Sequence, residues 1–392
     1  MSFTELELKD ICLDMHQGIN TVADKVEYRS KGIPIIQSKN ITSGYLDLDD
    51  VRYLDIDDYE KYKDKYNPNK GDILLCNIGT IGTSLVLKQD SKFLIAWNLF
   101  KLKIDTERFN PKYIKYYLDK LKLINYFDKL LTGGTVKFIN KTKMGQIRIP
   151  ICDIRKQDKI VSVLDKAQEL IDKRKEQIEA LDELVKSKFI EMFSEVNEYV
   201  SVSEYIESLT AGKSLAGESE CKNKVLNTGS ISYDYFDMNQ VKNLPNDYIP
   251  KEEHLVNVGD VLISRMNTSE LVGATAYVWN VNPNTYIPDR LWKANFKPNC
   301  NPIFVWQLLI QSSTKEKIRR IASGTSGSMK NISKPGLLGI EVIKVDIEKQ
   351  NEFANFVKQV DKLKFEMEKS LKELEDNFNS LMQKAFKGEL FN

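Results

Sequence analysis

Two loops of this sequence carry the residue types that bind nucleic acids. Segments 132–143 and 323–334 both combine glycine, Ser/Thr hydroxyls, lysine and asparagine. Such side chains and exposed backbone N–H groups bind phosphates and contact base edges in the grooves of DNA. Loops rich in Gly, Ser and Thr are also common connectors, so the composition leaves both interpretations open. The candidate binding residues in the two loops are Thr135, Lys137, Asn140, Lys141, Ser326, Ser328, Lys330, Asn331 and Lys334.

Further candidates follow short predicted β-strands. The runs 71–75 (GDILL) and 259–263 (GDVLI) are typical of buried strands that begin at a glycine. Polar residues just after them are expected at strand ends or loop tips. Arg265 could form a bidentate contact with guanine or a structural ion pair. The candidates of this kind are Asn77, Thr80, Arg265, Asn267 and Thr268, together with Lys39 and Asn40 after a predicted strand at 33–36.

Catalytic motifs are not found in the sequence. The run 212–214 (GKS) resembles the end of a phosphate-binding loop, but that motif needs glycine where this chain has Glu207. The histidines, His16 and His254, lie far apart and neither has the spacing of metal ligands. Core or surface roles are therefore expected for both, and nothing indicates an enzyme.

Composition excludes several classes of protein. With 42% apolar residues the chain can form real cores, but no apolar run approaches the roughly 20 residues of a membrane span. The N-terminus lacks the pattern of a signal peptide. The five cysteines are scattered, which favours reduced thiols and a cytoplasmic location. A net charge of +1 neither requires nor excludes a nucleic-acid partner.

Two long heptad helices organise the chain. The segment 154–193 contains no Gly or Pro and its apolar residues recur every three and four positions. The same pattern returns at an offset of 193 (357 minus 164) near the C-terminus. Arg174, Lys188 and Lys364 interrupt the apolar seam; they are expected to extend out of it, or alternatively to meet acidic groups of a partner. The seam residues are Leu164, Ile171, Ile178, Leu181, Val185, Val357, Val360, Met367, Leu371, Leu374 and Phe378.

The globular segments are also duplicated. The run 259–263 mirrors 71–75, and 327–334 mirrors 134–141. Between these landmarks the residues differ widely, as expected for two different ligands or for drift without functional meaning. The expected fold is α+β: two mixed α/β domains related by a pseudo-two-fold axis and joined by a long antiparallel two-helix coiled coil. The predicted segments are 1–150 and 197–343 for the domains, and 151–196 and 344–392 for the helices.

The order of these motifs carries a family resemblance. The layout resembles the specificity (S) subunit of type I restriction-modification systems, and the similarity spans essentially the whole chain. The segment 340–345 (IEVIKV) departs from the first repeat because it has no counterpart to Pro150. The motifs that carry the resemblance are 71–74 (GDIL) and 259–262 (GDVL), 134–140 and 327–333, 149–157 and the terminal 387–390 (KGEL).

The resemblance implies a role in DNA recognition. Residues 1–150 and 197–343 would be target-recognition domains, separated by a central (151–196) and a distal (344–392) spacer helix. Each domain would bind one half of a bipartite, asymmetric target in the major groove of double-stranded DNA. The half-sites are then expected about one helical turn, ~10 base pairs, apart. Equal heptad-scale inserts in both helices are expected to lengthen the unrecognised spacer between them.

The resemblance also implies partners and cofactors. Two methyltransferase subunits would dock on the exposed helix faces, use S-adenosylmethionine and flip the target adenine. Two ATP-driven restriction (translocase–nuclease) subunits, using ATP with Mg, would join the full complex. This subunit itself would hold no cofactor or metal and would do no chemistry. Two alternatives remain: a protein–protein scaffold, which would show no salt-sensitive DNA binding, and a self-contained modification enzyme, for which the sequence lacks a motif.

Overall fold

The computed structural model describes residues 3–42, 44–326 and 329–391, and the chain divides into two compact units. Unit 1 consists of Met1–Lys175 and Lys369–Asn392, and unit 2 of Glu176–Glu368. Both divisions fall inside the long helices, so each unit holds a globular part and a segment of each helix. This division differs in kind from segments 1–150, 151–196, 197–343 and 344–392, which remain a prediction.

Unit 1 is built from short strands and helices. Its strands are β1 (Thr4–Glu7), β2 (Cys12–Gln17), β3 (Ile33–Ile36), β4 (Arg52–Leu54), β5 (Ile73–Cys76), β6 (Ser84–Val86), β7 (Leu94–Ile95), β8 (Leu99–Ile104) and β9 (Arg148–Ile151). Its helices are α1 (Leu8–Ile11), α2 (Ile56–Tyr66), α3 (Pro111–Leu123), α4 (Lys141–Gly145) and the first part of α5 (Ile154–Phe193). Two 3₁₀ helices occupy Ser38–Ile41 and Tyr126–Leu130.

Unit 2 contains the remaining elements and the second part of α5. Its strands are β10 (Tyr199–Ser201), β11 (Ile206–Ala211), β12 (Lys224–Leu226), β13 (Val241–Asn243), β14 (Val261–Ser264), β15 (Met266–Asn267), β16 (Thr275–Tyr277), β17 (Thr285–Tyr286), β18 (Leu291–Phe296), β19 (Ser323–Ser326), β20 (Met329–Asn331) and β21 (Glu341–Ile343). Its helices are α6 (Pro302–Ile310), α7 (Ser312–Ile321), α8 (Lys334–Leu338) and the start of α9 (Ile347–Lys387). The 3₁₀ helices lie at Val202–Glu204, Thr228–Ile231 and Glu252–His254.

The sheets of the two units have the same topology. In unit 1 an antiparallel sheet has the order β2-β8-β5-β6, and in unit 2 the order β11-β18-β14-β16. A second sheet, β4-β3-β7 or β13-β12-β17, combines an antiparallel and a parallel pair. Gly71 and Gly259 have positive φ, of 88° and 97°, where the chain turns into the buried strands β5 and β14. The predicted duplication is therefore present in the strand order itself.

A lysine with a backbone carbonyl partner occupies the same place in both large sheets, buried in unit 1 and half-buried in unit 2. Lys101 on β8 donates from Nζ to the carbonyl of Asn67 at 3.3 Å, and Lys293 on β18 donates to that of Leu255 at 2.8 Å. Burial lowers the pKa of Lys101, while burial raises the pKa of Asp72, whose charge opposes that change in the lysine. In each unit the ammonium group of this lysine donates to a backbone carbonyl, so both lysines have a structural role.

The long helices begin at equivalent anchors. In unit 1 the buried Gln157 of α5 accepts a hydrogen bond from the N–H of Asn110 at 2.9 Å and donates one to the carbonyl of Cys152 at 2.8 Å. In unit 2 Gln350 of α9 repeats both bonds with Asn301 and Val345, at 2.9 and 2.7 Å. Equivalent glutamines thus fix α5 to the N-terminal cap of α3 and α9 to the N-terminal cap of α6.

Packing of the helix seam varies along its length. Residues toward the globular parts are buried, whereas those of the middle are half-buried. Within unit 1 Lys175 pairs with Glu375 at 3.3 Å, and within unit 2 Phe189 packs on Phe353. The two helices run antiparallel in each unit. The buried seam residues are Leu164, Ile171, Leu181, Val185, Val357 and Val360, and the half-buried ones are Ile178, Met367, Leu371, Leu374 and Phe378.

Two of the basic residues in the seam are paired inside the chain. Lys364 donates to both carboxylate oxygens of Asp182 on the other helix, at 2.6 and 2.8 Å. Lys188 pairs with Glu191 of its own helix at 2.7 Å. Both lysines thus pair with exposed carboxylates of this chain, an arrangement compatible with side chains that extend out of the seam. Among the described residues, no helix is long and apolar enough to cross a membrane.

Candidate nucleic-acid interface

Three segments of unit 1 meet at one surface. Phe138 of the 132–143 loop forms β-bridges with Ile78, after β5, and with Thr132. The N–H of Ile139 donates to the carbonyl of Asn77 at 3.0 Å. The 3₁₀ helix Ser38–Ile41 joins them, because the hydroxyls of Thr42 and Thr80 lie 3.5 Å apart. The predicted candidates of unit 1, distant in sequence, are thus brought together.

Unit 2 repeats this arrangement with more regular strands. The sheet β15-β20-β19 pairs the segment after β14 with the 323–334 loop. The N–H of Ile332 donates to the carbonyl of Arg265 at 3.0 Å, the counterpart of the bond to Asn77. Asn267 donates from Nδ2 to the hydroxyl of Ser232, which follows the 3₁₀ helix Thr228–Ile231, at 3.5 Å. We call these two surfaces the recognition face of each unit.

Two predicted residues of unit 1 are buried and serve the fold. Asn40 accepts a hydrogen bond from the N–H of Gln37 at 2.9 Å and donates to the carbonyl of Asp50 at 3.1 Å. Asn77 is fully buried, and its Nδ2 donates to the carbonyl of Ile139 at 3.4 Å. Their amides connect the segments of the recognition face and do not reach its surface, so the prediction of DNA contacts is corrected for both.

Other predicted residues form bonds within the domains. Asn140 caps α4 by accepting from the N–H of Lys143 at 2.9 Å, and Lys39 pairs with Asp50. Lys334 donates to the carbonyl of Leu209 at 2.6 Å. Thr80 is half-exposed and its hydroxyl donates to the thiol of Cys76 at 3.6 Å, while burial raises the pKa of that thiol to about 11. The exposed candidates of unit 1 without a bond described above are Thr135, Lys137 and Lys141, while Lys39 is exposed but paired with Asp50.

The candidates of unit 2 surround Arg265. Its Nε donates to Oδ1 of Asn331 at 3.4 Å, and its guanidinium lies 5.7 Å from the ring centre of Trp292. Lys330 donates to the carbonyl of Gly324 at 2.8 Å, within the same hairpin, and Thr268 is exposed beside Asn267. Ser328 lies outside the described residues, and so does the side chain of Ser326 at the end of β19.

One residue of this face escaped the sequence reasoning. The N–H of Arg265 donates to the carbonyl of Arg290 at 3.0 Å, as that of Asn77 donates to Asn98 at 3.3 Å. In unit 1 the Asn98 amide is occupied, since it donates to the hydroxyl of Ser38 at 2.9 Å. Arg290 is exposed, and its side chain forms no hydrogen bond or ion pair with the part of the chain that the structure describes. The sequence signal for Arg290 is its position. In the runs 97–99 (WNL) and 289–291 (DRL), Asn98 and Arg290 directly precede the leucine that begins β8 or β18.

Comparison with known proteins finds similarity to one family. Residues 2–181 match the type I restriction modification DNA specificity domain. Over 94% of this chain and 92% of the relative, the sequence is 23% identical to the type I restriction enzyme MjaVIII specificity subunit of Methanocaldococcus jannaschii. The chain is thus similar to a type I specificity subunit along nearly its whole length. The predicted resemblance is thus confirmed.

Other type I specificity subunits are also similar to this chain. The EcoKI specificity subunit of Escherichia coli is 22% identical over 98% of this chain and 86% of its own. A putative type I specificity subunit of Haemophilus influenzae is 28% identical, over 30% of each chain. Among solved structures, the type I S subunit from M. genitalium covers 98% of this chain and 96% of its own at 15% identity, with a TM-score of 0.53. These similarities confirm the predicted fold of mixed α/β units with paired long helices.

Proposed function

We propose that this chain is the DNA specificity subunit of a type I restriction-modification complex, in which each unit binds one half of a bipartite target. The observation that carries the proposal is the recognition face, built twice from the same three segments. The backbone bonds of the face are kept, whereas its exposed side chains differ between the units. A kept frame with changed side chains suits two surfaces that bind different base sequences.

Basic residues of each face have separate roles in this proposal. In unit 1 the exposed Lys137 and Lys141 neutralise phosphates, which positions the domain without reporting sequence. In unit 2 Arg265 and Arg290 are neighbours through a backbone hydrogen bond. A guanidinium fits the O6 and N7 atoms of guanine in the major groove. Because Arg265 is already bonded to Asn331, Arg290 is the better candidate for a guanine contact.

The catalytic work of the complex belongs to partners. Two methyltransferase subunits would bind the exposed faces of α5 and α9, and restriction subunits would join them in the full complex. S-adenosylmethionine, and ATP with Mg, would be held by those partners and not by this chain. The cytoplasmic location follows from this role and remains a prediction.

Mapping of adenine methylation in the source genome tests the proposal. Deleting this gene should abolish methylation at one split motif, two short blocks around a fixed gap, and reintroducing the gene should restore it. The partner methyltransferase must be shown to be present in the deletion strain. An unchanged map under that condition would reject the proposal and favour the protein scaffold, whose ligands a pull-down would then identify.

A further inference from the structure

A turn in unit 2 presents two tyrosine rings to solvent beside the recognition face. It follows the 3₁₀ helix Thr228–Ile231, and Tyr233 and Tyr235 are 82% and 59% exposed. Tyrosine, which combines an apolar ring with a polar hydroxyl, is enriched at binding interfaces. The position of the turn is known from Ser232, whose hydroxyl accepts the hydrogen bond of Asn267 on the recognition face.

The residue between the two rings holds a strained backbone. Asp234 has φ of +61°, in the left-handed region that non-glycine residues rarely adopt. Its carboxylate accepts hydrogen bonds from the N–H of Thr275 at 2.8 Å and from Nζ of Lys315 at 2.7 Å. The side chain of Lys315 is only 10% exposed, so this is a largely buried ion pair to α7. Strain that is held in place by buried bonds is typical of functional positions.

Among the described residues of the equivalent turn in unit 1, no such anchor is found. Its N–H bond is the same, since Gly44 donates to the carbonyl of Ile41 as Asp234 donates to that of Ile231. Gly44 has φ of +84°, and no atom lies within 4 Å of where a Cβ would stand. Lys122 stands in unit 1 at the position of Lys315. Its Nζ donates instead to the hydroxyl of Thr83, at 2.6 Å. The anchored turn is therefore a feature of unit 2 alone.

The two tyrosines differ in their surroundings. Burial raises the pKa of Tyr235, and the carboxylates of Glu368 and Asp361 on α9 add to that effect. Tyr235 thus lies toward the helix pair of its own unit. Tyr233 is the more exposed ring and is adjacent in the chain to Ser232, which contacts the recognition face.

We propose that the turn formed by Tyr233, Asp234 and Tyr235 is a DNA-binding element of unit 2, in which the ring of Tyr233 packs against bases of the second half-site. The proposal rests on the proposed function. The buried pair between Asp234 and Lys315 fixes the turn before binding, so little conformational freedom is lost when DNA is bound. An apolar side chain in the major groove of a duplex can contact base edges, such as the methyl group of thymine.

The test measures DNA affinity of the complex of this chain with its methyltransferase partner, on a duplex carrying the mapped motif. Tyr233→Ala should weaken binding by about 10-fold, as expected for the loss of one base-edge contact. The double variant Asp234→Gly with Lys315→Met removes the anchor but keeps a backbone suited to positive φ, and should weaken binding by about 3-fold. Tyr199→Ala removes a ring that is 56% exposed elsewhere in unit 2 and should leave affinity unchanged.

Three outcomes separate the explanations. If wild-type complex prefers the motif duplex and Tyr233→Ala binds it equally well, the turn does not contact DNA and the inference is wrong. If Tyr233→Ala reduces assembly with the methyltransferase, but the complex that still forms binds DNA normally, the turn is a protein-docking surface. The inference then fails as well. If the wild-type complex itself shows no preference for the motif duplex, the proposed function is wrong, and the inference that rests on it is wrong too. Thermal unfolding of each variant checks that unit 2 remains folded.

Discussion

Replacing Phe353 with alanine is expected to destabilise unit 2 by about 3–5 kcal/mol, the range for deleting a buried aromatic side chain. Phe353 lies on α9 and is fully buried. Its ring centre is 5.4 Å from that of Phe189 and 5.5 Å from that of Phe193, both on α5, and 6.5 Å from that of Phe304 on α6. The aromatic cluster joins the helix pair to the globular part, so its loss leaves a cavity among rings that cannot easily collapse.

Denaturant unfolding, followed by circular dichroism, measures the effect of Phe353→Ala. Phe365→Ala is a matched control, because this residue is on the same helix and is 57% exposed. The control should change the free energy of unfolding by less than about 0.5 kcal/mol, as is usual at the surface. Equal losses for the two variants would contradict the role given to the cluster.

Replacing Gln157 with leucine is expected to cost about 2–4 kcal/mol, the second large effect. The substitution preserves approximate size but leaves the N–H of Asn110 and the carbonyl of Cys152 without their side-chain partner. A buried polar group without a partner costs about 1–3 kcal/mol. Because Gln350 forms the same pair of bonds in unit 2, Gln350→Leu should have a similar effect there.

Gln168→Leu provides the control for Gln157→Leu within α5. This glutamine donates to the carboxylate of Asp172 at 2.9 Å at an exposed site, where water can replace the bond. Its loss should be close to neutral. Hydrogen exchange of the first turns of α5 adds a local measurement, and it should accelerate in Gln157→Leu. Unchanged stability and exchange would show that the buried glutamine does not anchor the helix.

The sequence predicted the long helices and the duplication because both depend on local patterns. The bounds of α5, Ile154–Phe193, agree with the uninterrupted heptad segment, and the Asn110-Pro111 cap starts α3 as its residue types indicate. The partner of Lys364 could not be predicted in the same way. Whether a seam lysine meets Asp182 depends on the axial offset between antiparallel helices, and the spacing within one helix does not determine it.

The sequence indicated loops and strand ends as candidates, but it did not predict that these segments meet or which of their side chains are buried. Asn40 and Asn77 have the residue type that contacts bases, but their burial depends on tertiary packing of three segments. Arg290 is not among the predicted candidates, because it precedes a strand and those candidates follow strands. The anchor between Asp234 and Lys315 joins groups 81 residues apart and has no local sequence pattern.

Adenine-methylation mapping in cells whose only copy of this gene carries Arg290→Ala tests the central claim most directly. We expect one block of the split motif to stay unchanged, while one guanine position of the other block accepts other bases. Arg320→Ala, which alters an arginine 78% exposed and paired with Glu316 on α7, should leave the motif intact. An unchanged motif in Arg290→Ala, or equal relaxation of both blocks, would contradict recognition of one half-site by each unit through this face.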